Sequence, residues 1–100
     1  MAPRLDLVIH APARLQICAI LSAVDEAEFA FIRDEVAVSD SVLSKHLKQL
    51  EEVGYVKARK ATVASRQRTW LSLTRKGRTA FTGHLAALER LVSSAKLAAE

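Results

Sequence analysis

Apolar positions along the chain fall first into helical order and later into strand alternation. From Pro12, which suits the first turn of a helix because its missing N–H is not needed there, Leu15, Cys18, Ala19 and Ser22 recur at helical spacing, and Ile17, Ile20, Leu21 and Val24 widen the apolar face. This spacing predicts a largely buried first helix. The preceding residues 5–10 are apolar but too few to stand alone, and are expected as an arm or short helix packed on a neighbour. After the polar break Asp25-Glu26-Ala27, Phe29, Ile32 and Val36 sit at i, i+3 and i+7. With Arg33, Asp34 and Glu35 on the other side, they predict a short second helix from Phe29 to Val36.

A third helix is expected over residues 40–53. Ser39 is a good N-cap, because its hydroxyl can accept a free backbone N–H of the first turn, and Asp40 adds negative charge at the positive end of the helix dipole. Leu43, Leu47, Leu50 and Val53 make its apolar stripe. Gly54 fits a left-handed position just past the end, with Tyr55 packing back on Leu50. Residues 55–60 and 68–73 then alternate and carry Val, Thr, Tyr and Trp, as strands do. The small, polar residues 61–67 between them are expected as a hairpin loop. Leu71 and Leu73 should face the core and Trp70 the opposite side. Thr74 can cap a last helix over residues 75–98. Within it Leu85, Leu88, Val92 and Ala95 follow a 3-4-3 spacing, with Leu91 alongside and Phe81 one turn earlier, as in a short coiled-coil seam.

The resulting class is mainly α with a small β-hairpin (α+β), one domain over residues 1–100. Half of the 100 residues are apolar, enough for a modest core. A domain of this size buries about two-thirds of its unfolded surface, so stability is marginal and a partner subunit would help. One cysteine, Cys18, excludes an internal disulfide framework and a Cys-rich zinc site. The apolar run over residues 15–24 is too short to span a bilayer. Asp6, His10 and Arg14 interrupt any signal-peptide core near the N-terminus. The expectation is a cytoplasmic protein with no membrane partner.

Charge changes the picture more than composition does. The net charge is only +4, yet Lys57, Arg59, Lys60, Arg66, Arg68, Arg75, Lys76 and Arg78 lie between Gly54 and Arg78 without an acid among them. Such a run, placed on a predicted hairpin, points to a surface for a polyanion. Two short helices joined by the tight Ala37-Val38-Ser39 turn form a helix-turn-helix unit, whose second helix enters the major groove of DNA. In that helix Ser41, Ser44, Lys45 and Lys48 face outward, with Val42 at the edge and Ser39 at its start. Small serines let the backbone approach the groove floor, and Lys45 can reach a guanine edge or a phosphate. On the hairpin, Arg66 and Arg68, with Arg59 and Lys60 opposite, are candidates for the DNA backbone or minor groove.

Residues 38–56, reading Val-Ser-Asp-Ser-Val-Leu-Ser-Lys-His-Leu-Lys-Gln-Leu-Glu-Glu-Val-Gly-Tyr-Val, resemble the recognition helix and first wing strand of winged helix-turn-helix regulators of the MarR and ArsR kind. Residues 68–78, Arg-Thr-Trp-Leu-Ser-Leu-Thr-Arg-Lys-Gly-Arg, resemble their second wing strand and the Leu-Thr-x-x-Gly-Arg lead into the next helix. The resemblance covers roughly residues 11–91. It implies a homodimer whose terminal helices pair and whose recognition helices enter successive major grooves. Dimer contacts are then expected from the N-terminal segment 1–11, with Leu5 and Leu7, and from Leu85, Leu88, Leu91 and Val92. Two departures stand out: the wing tip Ala61-Thr62-Val63-Ala64-Ser65 lacks glycine, and the chain is short for a MarR-type ligand pocket.

No other chemistry emerges. Cys18 lies between Ile17 and Ala19 on an apolar helix and reads as a core thiol. His10, His46 and His84 lack ligand spacing, so no metal is expected. No nucleophile–base pairing, phosphate-cradling glycine loop or paired carboxylates appear, so neither catalysis nor a cofactor is expected. The expected function is a sequence-specific double-stranded DNA-binding transcriptional regulator, homodimeric and repressing by occupancy. Its small-molecule effector, if any, has no signature in the sequence. The alternatives are a winged-helix protein–protein interaction module and a non-specific architectural DNA-binding protein.

Overall fold

Extended Ala11 leads into Pro12 at the first turn of α1 (Pro12–Ser22) in the computed structural model, which describes residues 3–99. Residues 1, 2 and 100 of the expected 1–100 domain lie outside the described residues. Strand β1 (Ala27–Glu28), α2 (Phe29–Val36), α3 (Asp40–Glu52), β2 (Val56–Val63), β3 (Arg66–Leu73) and α4 (Arg75–Ala99) follow.

The ends of α3 are set by local chemistry. Ser39 Oγ accepts the Val42 N–H at 3.2 Å, which satisfies one donor of the first turn. At the other end Gly54 adopts φ 78°, its N–H reaches Glu51 O and the Tyr55 N–H reaches Leu50 O, both at 2.9 Å. These are the paired bonds of a Schellman ending. The turn before α3 bends at Ala37, φ 59°, whose N–H donates to Arg33 O at 2.9 Å. Arg33 Nη1 also holds the Asp40 carboxylate at 2.9 Å, which ties α2 to the start of α3.

Two expectations about the sheet are corrected. Strand β1 begins at Ala27, the last residue of the stretch read as a polar break, so the sheet has three antiparallel strands in the order β1-β3-β2. Ala27 pairs with Leu71 and Glu28 with Trp70. A two-residue strand formed by pairing with β3 more than forty positions later leaves no periodicity to read. The expected seven-residue loop is mostly strand: β2 and β3 pair from Val56↔Leu73 out to Val63↔Arg66. Only Ala64 and Ser65, with φ 50° and 65°, make the turn. Positive φ at both central residues marks the tight hairpin type whose twist matches that of the strands.

Ile9, Ile17, Leu21, Ile32, Leu43 and Leu50 are fully buried at the centre, where the N-terminal segment, α1, α2 and α3 meet Leu71 of the sheet. Leu71 and Leu73 face this core and Trp70 is only half-buried, as alternation requires. Thr74 caps α4: its Oγ1 accepts the Gly77 N–H at 2.9 Å and donates to Gly54 O at 2.6 Å, joining the end of α3 to the start of α4. Gly77 is required here, because a Cβ would stand 2.1 Å from Tyr55 O. On α4 the chain's own core takes a different face from the expected seam of Leu85, Leu88, Val92 and Ala95. The face buried by the chain's own core is Gly77, Phe81, His84 and Ala87. Leu85 is exposed and Leu88 half-buried, while residues 89–99 run into solvent and give the molecule its 61 Å long axis.

Candidate nucleic-acid interface

The apolar stripe of α3 is pinned inward by Leu43, Leu47 and Leu50, all buried. Helical geometry then turns the opposite side out, and Ser39, Ser41, Val42, Ser44, Lys45 and Lys48 are all exposed. Ser39 is partly committed, since its hydroxyl caps the helix and lies 3.2 Å from Ser41 Oγ. Ser41, Ser44, Lys45 and Lys48 form a continuous small and cationic surface. The C-terminal half of the helix is braced by Arg14 of α1, whose Nη1 lies 3.2 Å from His46 Nδ1 and donates to Gln49 Oε1 at 2.6 Å. Arg14 Nε donates to the Val8 carbonyl. His46 is half-buried against Arg14, and burial lowers its pKa first, the Arg14 and Lys45 charges next.

Strand alternation divides the four candidate residues of the wing (the β2–β3 hairpin) between two faces. Lys60 and its cross-strand partner Thr69 turn toward α3, and with Ser44 and Lys48 they line one groove floored by Leu47, Ala58 and Leu71. Arg59, Arg66 and Arg68 are on the other face, with Trp70. There Arg59 makes two bonds to Glu26, at 3.0 and 2.8 Å, and Arg68 Nη1 bonds both oxygens of Glu28, at 2.8 and 3.0 Å. The run of cations has no acids in sequence but acquires two in space, carried by β1 and the residue before it. Hydrogen bonding to Arg59 holds the Glu26 carboxyl below its ordinary pKa. Among the described residues, Lys45, Lys48, Lys60 and Arg66 make no ion pair. The cations without an ion pair thus lie on α3, on the groove side of the wing, where Glu51 also lines the groove, and at its tip.

Of the residues assigned to a second subunit, Leu7 is 80% exposed, Leu91 56% and Val92 57%. Leu5 lines a shallow groove with Ala87, Arg90 and Leu91 of α4. Leu88 and Val92 border the adjacent surface. Cys18 is fully buried, and burial pushes its thiol up to about 11, as expected for an inert core cysteine. Two histidines that sequence spacing kept apart do meet: His10 Nδ1 lies 3.4 Å from His84 Nε2. His46 stands apart from them on α3, and among the described residues no group of three potential metal ligands forms. Among those residues, too, no helix is long and apolar enough to cross a membrane.

Residues 13–92 match the family model described as a winged helix DNA-binding domain. An uncharacterized protein of Methanocaldococcus jannaschii is 32% identical over 78 residues, 78% of this chain and 85% of that protein. Among solved structures, a transcriptional regulator homologue from Pyrococcus horikoshii OT3 superposes with a TM-score of 0.82 at 27% identity, covering 89% of this chain and 88% of that one. ZitR of Lactococcus lactis, a zinc-responsive MarR family member, gives a TM-score of 0.63 at 29% identity, over 86% of this chain and 58% of its own. A variant of ZitR has been solved in complex with DNA. The architecture is that of MarR-like winged-helix transcriptional regulators, and not of an enzyme.

Proposed function

The chain belongs to the family of winged helix DNA-binding domains, and from that premise we propose that it is a homodimeric, sequence-specific repressor acting on double-stranded DNA. The observation that carries this reading is the groove that α3 and the wing line together, with Lys48 and Ser44 from the helix and Lys60 from the strand, where neither lysine is ion-paired even though Glu51 lines the same groove. A helix offering small and cationic residues outward is suited to the major groove. Ser44 and Lys45, with Ser41 and Val42 beside them, are assigned to base edges. Lys48, Lys60 and Arg66 are assigned to phosphates, which supply affinity without discrimination.

Dimerisation completes the reading. The whole chain acts as one domain, with the N-terminal segment and the exposed part of α4 pairing with a second copy through Leu5, Leu7, Leu85, Leu88, Leu91 and Val92. A two-fold dimer then addresses two half-sites about 34 Å apart, one helical turn of DNA. Repression follows from occupancy of the operator.

Selection of bound sequences from a random duplex library at near-physiological salt tests the proposal. Recovery of an inverted repeat with centres one helical turn apart, or a multiple of it, is the expected result. Retention without enrichment would mean an architectural protein. No retention would mean a protein–protein interaction module. Either outcome sinks the repressor reading.

A further inference from the structure

The N-terminal segment is fastened at Asp6. Its Oδ2 accepts the Tyr55 hydroxyl at 2.5 Å, and its Oδ1 accepts the backbone N–H of Val8 and Ile9 at 2.9 and 3.1 Å. The remaining bond is the informative one: the Asp6 backbone N–H donates to Nδ1 of His84, at 2.9 Å, from a segment 78 positions away. A backbone N–H can only donate, so Nδ1 is bare and the proton of the neutral ring sits on Nε2, facing His10. With its Nε2 protonated, the pair with His10 is a hydrogen bond and not a ready metal site. His84 is fully buried. A second proton has one place to go, Nδ1, where it would confront the Asp6 N–H donor to donor.

We propose that residues 3–10 form a pH-sensitive strap, latched to α4 through the Asp6 N–H and His84 Nδ1, and that protonation of His84 releases it. Burial first, and then the neighbouring His10, hold His84 below its ordinary pKa, while Asp6 pulls the other way. The other ionisable groups packed around the latch do not compete. Cys18 of α1 is pushed up to about 11 by burial, and Tyr55, between α3 and β2, up to about 12 by its bond to Asp6. Both stay neutral where an imidazole titrates. Arg14 of α1 is permanently charged and is held by Val8 O, His46 and Gln49.

The sign follows from linkage. The docked strap holds a neutral ring, whereas the released ring meets water and titrates near its ordinary value of about 6.5. Docking is therefore at full strength above that value. It weakens by about tenfold per pH unit as pH falls toward the depressed docked value, and levels off below it. Release would withdraw Leu5 from its groove against Ala87 and Leu91, and the Val8 carbonyl from the guanidinium that braces α3. The strap thus connects the exposed surface of α4 to α3, and the inference goes beyond the DNA-binding reading without depending on it.

Amide hydrogen exchange of the Asp6 N–H, corrected for the intrinsic rate at each pH, tests this when read beside the ¹⁵N shifts of the His84 ring. Above the ordinary imidazole pKa, the Nε2–H tautomer and a protected Asp6 amide are expected. On acidification below about 6.5, Asp6 protection should fall about tenfold per pH unit while the docked ring is still neutral, and level off where the His84 ring charges, while α3 amides remain protected. His84→Asn offers a non-titrating oxygen near Nδ1 and should flatten the response. An Nδ1–H tautomer at neutral pH, pH-independent protection of Asp6, or an undiminished response in folded H84N would each overturn the proposal. Should H84N not fold, the wild type decides alone: loss of Asp6 protection that continues past the pH at which the His84 ring charges, instead of levelling off there, also overturns it. No DNA enters the measurement, so its failure leaves the repressor reading standing.

Discussion

Glu26 and Arg59 form a two-pronged ion pair on the face of the sheet turned away from α3, Oε2 to Nε at 3.0 Å and Oε1 to Nη2 at 2.8 Å. The Arg59 guanidinium also lies 6.0 Å from the centre of the Trp70 ring, so the side chain is held on that face. A cation so committed has little charge left for a phosphate. Glu26→Gln should release it and steepen the dependence of DNA affinity on salt by about one counterion. Conversely, Lys60→Ala and Arg66→Ala should flatten the dependence by about one each, and Arg59→Ala and Arg68→Ala by less. Binding isotherms over a salt series check the order. Equal slopes for all four alanine variants would show that the acids do not matter.

Residues on α3 should behave differently from those on the wing. Ser44→Ala and Lys45→Ala are expected to change the ranking of duplex sequences, by about 1–3 kcal/mol at the affected base pair for a lost bidentate contact and less for a single hydroxyl. Arg66→Ala should weaken all duplexes alike. Competition between the selected site and its single-base variants reads the difference directly. Uniform weakening by the α3 variants would remove them from base recognition.

What was legible in the sequence is what short-range chemistry decides. The Phe29–Val36 helix, the Ser39 and Thr74 caps and the Gly54 turn each depend on residues within a few positions of one another, and each stands where the pattern placed it. What escaped depends on distant partners. Strand β1 exists because Ala27 and Glu28 find Leu71 and Trp70. The same pairing carries Glu26 and Glu28 to arginines 33 and 40 positions away, which no charge count along the chain reveals. Helix α4 shows a third case: the face its own chain buries, Phe81, His84 and Ala87, is set by distant partners, among them the N-terminal segment that bonds His84.

The wing tip was illegible for a different reason. Its turn residues, Ala64 and Ser65, both sit at positive φ without being the Asn-Gly or Asp-Gly pair that announces such a turn. Left-handed backbone costs an L-residue about 1–2 kcal/mol. The double change Ala64→Asn, Ser65→Gly should therefore stabilise the hairpin by about 1 kcal/mol, read as a rise in thermal midpoint and slower exchange of the amides at its tip. An unchanged or lowered midpoint would mean that the tip contributes nothing to the cooperative unit.

Two glycines of α4 predict opposite outcomes for the same substitution. A Cβ on Gly77 would meet the Tyr55 backbone at 2.1, 2.8 and 2.9 Å, whereas one on Gly83 meets nothing within 4 Å. Backbone cannot swing aside as a side chain can, so Gly77→Ala must push α4 off the end of α3, at a cost of about 1–3 kcal/mol or more. Gly83→Ala should instead stabilise the helix by about 0.5–1 kcal/mol through reduced chain entropy and better propensity. Denaturant midpoints of the two variants check both signs at once. A stabilised Gly77→Ala would show that α4 can be repositioned freely.

The last prediction concerns what covers α4. Leu91 is 56% exposed beside Leu5, and its own chain offers nothing further to cover it among the described residues. If two copies pair here, Leu91→Glu places two like charges in one apolar seam, and separation of the subunits is the cheapest relief. The expected product is a folded monomer in sedimentation equilibrium. Because binding at two linked half-sites gains about 10²–10⁴ over one, its affinity for the full operator should fall by at least about a hundredfold, while affinity for an isolated half-site should hardly change. Leu91 is a sharper probe than half-buried Leu88, whose replacement would also disturb the core. A Leu91→Glu protein that remains dimeric would place the subunit contact elsewhere, and an unfolded one would mean that this face belongs to the core.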